Sequence, residues 1–314
     1  MARALSIATV LGLLLASALA FAITERAKTA PSPIASTKVT RKTFSPRAAQ
    51  ASYQYVEIEF RLRVAERLSV WIEDSHGNNV RTLLSSRSEK RGAHIDVQWD
   101  GSGDDGLIQP DGTYRPVVKL EKSHRTIVLP NPFKVDTVPP TIKVPKPVHR
   151  VLSPDGDGHG DLFRVQYRVS EPAHALLFVR VGRKTTRVEY TRTQKLTGEL
   201  QWNGKVGGKA LPPGAYLLSV GAQDVAGNRS RPFPFGVVDI RYVSLGRKRV
   251  VARPGTRFAI RVSADAPTIR WRLDGRSGTA APGTLHFRVP KAKGVYFLYV
   301  FVGSHAARVA VVVA

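Results

Sequence analysis

The stretch WDGSGDDGLIQPDGTY at residues 99–114 recurs, in slightly shorter form, as WNGKVGGKALPPGAY at residues 202–216. Each copy begins with a tryptophan, passes through a Pro-Asp-Gly or Pro-Pro-Gly turn, and ends with a tyrosine that precedes an apolar run. Glycine supplies the positive φ that tight hairpin turns need, and a tryptophan at a strand end can cover the edge of a core. The recurrence therefore predicts two copies of one β-domain.

The repeat extends upstream of this stretch. Phe44-Ser45-Pro46 recurs as Leu152-Ser153-Pro154, and apolar residues alternate with polar ones over residues 56–62 and again over residues 163–169. Such period-2 alternation predicts strands with one buried face. The same alternation continues near the C-terminus without the Trp-to-Tyr stretch. We therefore expect an all-β protein of three tandem Ig-like antiparallel β-sandwiches after an N-terminal signal or anchor segment.

Changes in composition suggest where these parts begin and end. Residues 1–22 are interpreted as the signal peptide or anchor, and residues 23–43, a mixture of Pro, Ser, Thr, Ala and Lys without periodicity, as a flexible basic linker. The two repeats are assigned to residues 44–138 and 139–236, and a basic third sandwich to residues 237–314. Proline-rich links separate the three units, because proline restricts the chain and cannot donate a ladder hydrogen bond.

The N-terminus has the pattern of a secretory signal. Arg3 is followed by an apolar run without charge as far as Glu25, and Ala18-Leu19-Ala20 and Ala20-Phe21-Ala22 are both suitable cleavage sites. The alternative is an uncleaved membrane anchor formed by residues 4–22. Either alternative predicts an extracellular or cell-surface protein. The chain has no cysteine, which excludes disulfides, thiolate zinc sites and a cysteine nucleophile.

Half of the net charge of +24 lies in the last 75 residues of the chain. Residues 51–140 contain twelve basic and thirteen acidic residues and are nearly neutral, whereas residues 240–314 contain fourteen basic and two acidic residues and carry +12. A protein that binds nucleic acid along its whole length would not need a neutral stretch. The charge is therefore a property of one module, the third sandwich.

Strand alternation predicts that the basic side chains of the third sandwich point outward, opposite their apolar neighbours. If their strands lie in one sheet, they form one continuous patch whose guanidinium groups match phosphate or carboxylate geometry. Trp271, Phe258 and Phe287 fall on the buried face, which disfavours specific nucleic-acid binding because such modules expose aromatic rings. The alternative is an inert, solubilising face. The predicted polyanion-binding residues are Arg247, Lys248, Arg249, Arg261, Arg270, Arg272, Arg276 and Arg288.

The loop SPDGDGHGD at residues 153–161 is the candidate metal site. Asp155, Asp157 and Asp161 stand at positions 1, 3 and 7 of a glycine-rich loop, and carboxylate oxygens are the ligands that calcium prefers. Position 5 is a histidine and position 12 is Gln166, so the loop is not an EF-hand. The alternative is an Asp/Gly turn whose side chains cap their own backbone. Acidic residues in the first Trp-to-Tyr stretch are interpreted as such a turn.

The chain resembles the Ig-like domain family named for the flagellar hook-capping protein FlgD. The resemblance depends on SVWIEDSHGNNVRTL (69–83) and on WDG…PDGTY, and in the second copy on SPDGDGHGD and DVAGN (224–228). It covers residues 44–230 as two tandem copies, although GRKTT (182–186) replaces the D-x-x-G turn in the second copy. The VPPTI link (138–142) and the DVAGN strand end also resemble repeats in bacterial surface and adhesion-like proteins. The resemblance implies an exported β-sandwich used as a spacer, assembly or binding module.

These observations predict an exported, non-enzymatic repeat protein that serves as a structural, adhesive or binding module at the cell envelope. Its basic C-terminal domain is expected to contact an anionic cell-envelope polymer or lipid surface, or a surface protein. No G-x-S-x-G elbow and no H-E-x-x-H motif is present in the sequence. The alternatives are a carbohydrate-binding or accessory module that works beside an enzyme, and a hydrolase with an unrecognised site.

Overall fold

A computed structural model describes residues 12–21, 31–145 and 148–314. Residues 12–21 are helical, and among the described residues no helix combines the length and apolarity needed to cross a membrane. The predicted signal or anchor segment lies partly outside the described residues and stays a prediction. From residue 31 onward the described chain consists of strands and loops with a 3₁₀ helix at Ala51–Tyr53, so the prediction of an all-β, Ig-like protein is confirmed.

The first sandwich encloses a core between two sheets. Its strands are β1 (Ile34–Val39), β2 (Thr43–Phe44), β3 (Val56–Leu62), β4 (Glu66–Glu73), β5 (Asn79–Glu89), β6 (His94–Trp99), β7 (Gly112–Leu120), β8 (Arg125–Val128) and β9 (Phe133–Val135). One sheet has the order β1-β3-β6, and the other has the order β2-β9-β7-β4-β5 with β8 beside β7. Apolar positions on β3, β4 and β6 alternate inward and fill the space between the sheets, as period-2 alternation requires.

The end of the predicted linker is part of this sandwich. Strand β1 pairs antiparallel with β3, with Ile34 opposite Leu62, and Ile34 is buried at 6% exposure. The interpretation of residues 23–43 as a flexible linker is therefore wrong for residues 34–39. The segment contains few apolar residues, but β3 offers an unpaired edge whose backbone groups gain hydrogen bonds from it.

The second sandwich is built around one long strand. Its strands are β10 (Ile142–Lys143), β11 (Val148–Leu152), β12 (Phe163–Val181), β13 (Lys184–Tyr190), β14 (Lys195–Trp202), β15 (Lys205–Val206), β16 (Lys209–Ala210), β17 (Gly214–Gln223) and β18 (Phe233–Ile240). The first half of β12 pairs with β10 and β14, and its second half pairs with β13 and β17. GRKTT forms a tight β12–β13 hairpin with Gly182 at φ +60°, so the hairpin does not need the D-x-x-G turn.

The third sandwich places two sheets around a core of aliphatic and aromatic side chains. Its strands are β19 (Ser244–Leu245), β20 (Arg249–Ala252), β21 (Arg257–Ser263), β22 (Ile269–Leu273), β23 (Arg276–Ala280), β24 (Gly283–Arg288), β25 (Gly294–Val302) and β26 (His305–Val313). The three-stranded sheet has the order β19-β21-β24, and the five-stranded sheet has the order β20-β26-β25-β22-β23. Phe258 and Phe287 lie in the core, with Trp271 packed against them.

All three sandwiches share one pairing that is parallel rather than antiparallel. The second strand of each sandwich runs beside its last strand, as β2 with β9, β11 with β18 and β20 with β26. The chain divides into two compact units, Met1–Asp136 and Thr137–Ala314. The second unit holds both the second and the third sandwich.

Candidate functional site

The Trp-to-Tyr stretches are built in the same way in both copies and support the fold. Trp99 Nε1 donates to the carbonyl of Ser102 at 2.8 Å, and Tyr114 Oη donates to the carbonyl of Pro110 at 2.7 Å. In the second copy the tryptophan and the tyrosine donate at equivalent positions, at 2.9 Å in both cases. The acidic residues of the first stretch cap nearby backbone amides: Asp100 accepts from Ser102, Asp104 from Thr82, and Asp105 from Leu107.

The loop at residues 153–161 draws its three aspartates together. Gly156 N and Gly158 N each donate to Asp161 at 2.7 Å, one to each carboxylate oxygen. Asp157 N donates to Asp155 Oδ1 at 3.3 Å. As a result, ligand oxygens of the three carboxylates lie within 4.8 Å of one another, the spacing that a single cation could bridge.

One carboxylate oxygen in this loop has no hydrogen-bond partner within the described parts of the chain. Among the described residues nothing hydrogen-bonds to Asp157 Oδ2, although this atom is buried and the Asp157 side chain is only 12% exposed. Burial raises the pKa of Asp155, and the neighbouring Asp157 carboxylate raises it further. Gln166 is directed elsewhere, since its amide donates to Glu199 at 3.1 Å. The loop therefore offers one buried and two half-buried carboxylates that repel one another, and a hard cation would neutralise them.

The aspartate loop also touches the third sandwich. Ser304, in the β25–β26 turn, donates to the carbonyl of Asp155 from both its amide, at 2.7 Å, and its hydroxyl, at 2.9 Å. Beside it, the rings of Tyr242 and His305 stack at 3.7 Å with 7° between their planes. The loop is thus a contact between the two sandwiches of the second unit as well as a candidate metal site.

A fourth carboxylate joins the loop from the third sandwich. Asp265 follows β21, and its carboxylate occupies the space that a side chain at Gly160 would need. Burial raises the pKa of Asp265, and the carboxylates of Asp157 and Asp161 add to that rise. Sequence reasoning did not find this residue, because Asp265 is more than a hundred positions from the loop and belongs to no motif.

The predicted basic residues are divided between two sheets. Arg261 and Arg288 lie on the three-stranded sheet, whereas Arg249, Arg270, Arg272 and Arg276 lie on strands of the five-stranded sheet; Arg247 and Lys248 precede β20. All eight are exposed. The condition for one continuous patch, that these strands lie in one sheet, is not met. The third sandwich has instead two basic faces, and binding by them stays a prediction.

The outer face of the five-stranded sheet carries aromatic rings as well as arginines. Phe297, Tyr299 and Phe301 follow one another on β25, with ring centroids 6.2 and 6.1 Å apart. The guanidinium of Arg272 lies over the Tyr299 ring at 5.5 Å, and that of Arg308 lies over the Phe297 ring at 5.1 Å. We call this surface the aromatic–arginine face; its residues are Arg249, Arg270, Arg272, Phe297, Tyr299, Phe301 and Arg308.

Sequence reasoning missed the aromatic residues of this face. Strand β25 reads GVYFLYVFV, and both of its alternating sets are apolar. Such a strand looks buried on both sides, so the pattern does not show which set faces outward. Only the pairing of β25 between β22 and β26 reveals that Leu298, Val300 and Val302 fill the core.

Comparison with known proteins finds solved structures that are similar to this chain only at low sequence identity and low TM-score. A structure concerning the host cell surface retention of a 1.5-MDa bacterial ice-binding adhesin is 15% identical with a TM-score of 0.29, covering 90% of this chain and 97% of the other. PorZ of the Porphyromonas gingivalis type-IX secretion system is 21% identical with a TM-score of 0.22, covering 32% of this chain. This chain spans only 11% of PorZ. The N-terminal four Ig domains of Dscam1 isoform 9.44 are 12% identical with a TM-score of 0.22, covering 90% of this chain and 73% of the other.

No curated protein sequence gives a significant match. The resemblance drawn from the sequence motifs is confirmed for one copy, within the first sandwich. Residues 48–124 match the model of the FlgD Ig-like domain family.

Proposed function

We propose that this protein is an exported, non-enzymatic Ig-like module that acts at the cell surface or outside the cell. Its third sandwich binds an anionic polymer or lipid surface, and the first two sandwiches are two FlgD-type copies that serve as spacers. The N-terminal signal pattern supports export. The equivalent Trp-to-Tyr hydrogen bonds in the second sandwich support a second copy of the family.

The observation that carries this proposal is the unopposed charge of the third sandwich. Between residues 243 and 314 the only acidic residues are Asp265 and Asp274. Within the described part of the chain, no arginine or lysine of this segment forms an ion pair with a carboxylate. Both sheets expose arginines to solvent. Exposed cations that are not paired with carboxylates attract polyanions, and this attraction is screened by salt.

A charge-removal variant tests the proposal. We expect the full chain to bind inorganic polyphosphate and phosphatidylglycerol vesicles, with an affinity that falls as sodium chloride is raised. At about 1 kcal/mol for each basic residue near an anionic surface, removing six charges should weaken vesicle binding by at least about 100-fold. The six substitutions to glutamine are at Arg257, Arg261, Arg270, Arg272, Arg288 and Arg308.

The matched control removes six exposed charges from the first sandwich instead. These substitutions to glutamine are at Arg63, Arg67, Lys90, Arg91, Lys122 and Arg125. Both variants change the net charge equally, so a general effect of charge would weaken binding equally in both. Equal weakening, or binding that ignores salt, contradicts the proposal.

We also propose that the loop carboxylates of Asp155, Asp157 and Asp161 hold a calcium ion. The buried Asp157 Oδ2, to which no described residue donates a hydrogen bond, supports this proposal, because a bound cation would satisfy it. At 100 times the dissociation constant, a ligand that binds only the folded state adds about 2.7 kcal/mol to the free energy of unfolding. For a unit of this size we expect calcium to raise the thermal midpoint by about 5–10 °C relative to a chelator.

Two variants make the calcium test specific. Asp157→Asn should remove most of the calcium-dependent rise in midpoint, whereas Asp100→Asn, in a turn of the first sandwich, should keep it. A wild-type midpoint that is the same in calcium and in chelator would show that the loop is a plain Asp/Gly turn.

A further inference from the structure

The two basic faces of the third sandwich differ in chemistry. On the three-stranded sheet, the outward residues of β21 and β24 include Arg257 opposite Arg288, Ala259 opposite His286, and Arg261 opposite Thr284. This face is cationic and holds no outward aromatic ring on those paired positions. On the five-stranded sheet, the aromatic–arginine face mixes cations with rings. The two faces would therefore recognise different features of a polyanion.

The strand register shows how the rings and cations alternate on the aromatic–arginine face. Tyr299 is paired with Arg272 on one side and with Arg308 on the other. Phe301 is paired with Arg270. The aromatic row of β25 is therefore flanked by guanidinium groups on both neighbouring strands. None of the seven residues that define the face is acidic.

We infer that the aromatic–arginine face binds an acidic polysaccharide with a carboxylate on its sugar rings, such as a polyuronate. The inference rests on the proposed binding of polyanions by the third sandwich and names the class of polymer. The C–H face of a sugar ring packs against the electron-rich face of an aromatic side chain. Guanidinium forks beside the rings then pair with the carboxylates of the same sugars.

The geometry favours this polymer over a lipid surface. The rings of Tyr299 and Phe301 are half-buried among their strand neighbours, and Phe297 is 39% exposed. They lie along a strand in the middle of a sheet, and a sheet face is twisted, so it does not lie flat on a bilayer. A flexible polymer chain follows a twisted face.

The geometry also favours a polyuronate over single-stranded nucleic acid. Bases stack on the open faces of aromatic rings. Here guanidinium groups already lie over Tyr299 and Phe297, which leaves Phe301 as the ring of this row without an arginine over it in the described chain. Successive bases need several open rings, whereas one open ring is enough for one sugar of a polyuronate, whose hydroxyls and carboxylates also accept hydrogen bonds from the guanidinium groups.

The test uses the full chain and four polymers that differ in whether they contain sugar rings, bases and negative charge. Polygalacturonate has sugar rings that carry charged carboxylates, and its methyl-esterified form has the same sugar rings without the charge. Inorganic polyphosphate has charge but no sugar rings, and single-stranded DNA has charged phosphates together with bases. The ring variant carries Phe297→Thr, Tyr299→Thr and Phe301→Thr, which keep β propensity and net charge. We expect this variant to bind polygalacturonate roughly tenfold or more weakly, with polyphosphate binding within about twofold of wild type.

A pair of arginine variants locates the binding face. Arg270→Gln, Arg272→Gln and Arg308→Gln should weaken polygalacturonate binding more than Arg257→Gln, Arg261→Gln and Arg288→Gln, although both sets remove three charges. The methyl-esterified polymer should bind far more weakly than polygalacturonate. Circular dichroism and the thermal midpoint verify that each variant is folded; if the triple ring variant is not, Phe301→Thr alone replaces it and should give a smaller loss in the same direction.

The outcomes separate this inference from the proposed function. Polyphosphate binding together with polygalacturonate binding that ignores the ring substitutions overturns the inference and leaves the proposed function standing. Tighter, ring-dependent binding of single-stranded DNA or of phosphatidylglycerol vesicles also overturns it, because the occupant is then a different polyanion. Absence of binding to every polyanion overturns the proposed function itself.

Discussion

Replacing Trp99 with alanine is expected to lower the free energy of unfolding of the first sandwich by about 3–5 kcal/mol. The ring is 1% exposed and lies 5.6 Å from Phe44, 5.0 Å from Tyr114 and 5.6 Å from Phe133 between centroids. Alanine leaves a cavity among three aromatic rings that the surrounding sheets cannot close. Hydrogen exchange of the β3 and β7 amides measures the decrease in the free energy of unfolding of the first sandwich separately from the stability of the other two sandwiches.

The control for this variant lies in the same stretch of sequence. Leu107 is 67% exposed, so Leu107→Ala should change the stability of the first sandwich by no more than about 0.5 kcal/mol. Exchange from the second and third sandwiches should be unchanged in both variants. If the two substitutions cost the same, Trp99 does not organise the core as described.

Replacing Gly303 with alanine is expected to destabilise the third sandwich by about 2–4 kcal/mol and to loosen it from the aspartate loop. Gly303 has φ +51°, which strains any other residue, and a Cβ at this position would collide with the backbone carbonyl of Asp155. That carbonyl accepts both hydrogen bonds from Ser304. The thermal midpoint and the exchange rate of the Ser304 amide report the two effects.

The control variant Gly275→Ala shows how much of the Gly303→Ala effect comes from backbone strain and how much from the collision with the Asp155 carbonyl. Gly275 lies in the β22–β23 turn of the same sheet at φ +71°, with open space where its side chain would be. This variant should cost about 1 kcal/mol from the positive φ alone and leave the Ser304 amide protected. A Gly303→Ala variant that behaves like Gly275→Ala would contradict the contact between the turn and the aspartate loop.

Much of the fold could be predicted from residue patterns because strand alternation is a local property. The runs at residues 56–62 and 163–169 have one apolar and one polar face, and both are strands with that apolar face buried. Segment 34–39 has no such pattern and becomes a strand because β3 offers it an edge. Pairing of this kind depends on the rest of the sheet, so it cannot be predicted from the residues of the segment alone.

The candidate sites show the same division between local and distant information. Asp155, Asp157 and Asp161 are close in sequence, and the structure brings their carboxylates together as the loop spacing suggested. Asp265 reaches them only through the packing of the second and third sandwiches. The aromatic–arginine face depends on which set of β25 residues faces outward, and a strand that is apolar at every position does not encode that choice by itself.

The parallel pairing of the second and last strands has a mechanical consequence in each sandwich. When a sandwich is pulled at its two ends, the two parallel strands are sheared along each other. Their hydrogen bonds then resist the force together and do not break one at a time. The pairing joins two residue pairs in the first sandwich, five in the second and four in the third. Under stretching, the first sandwich would therefore yield before the second and the third, because its parallel pair holds the fewest hydrogen-bonded residues.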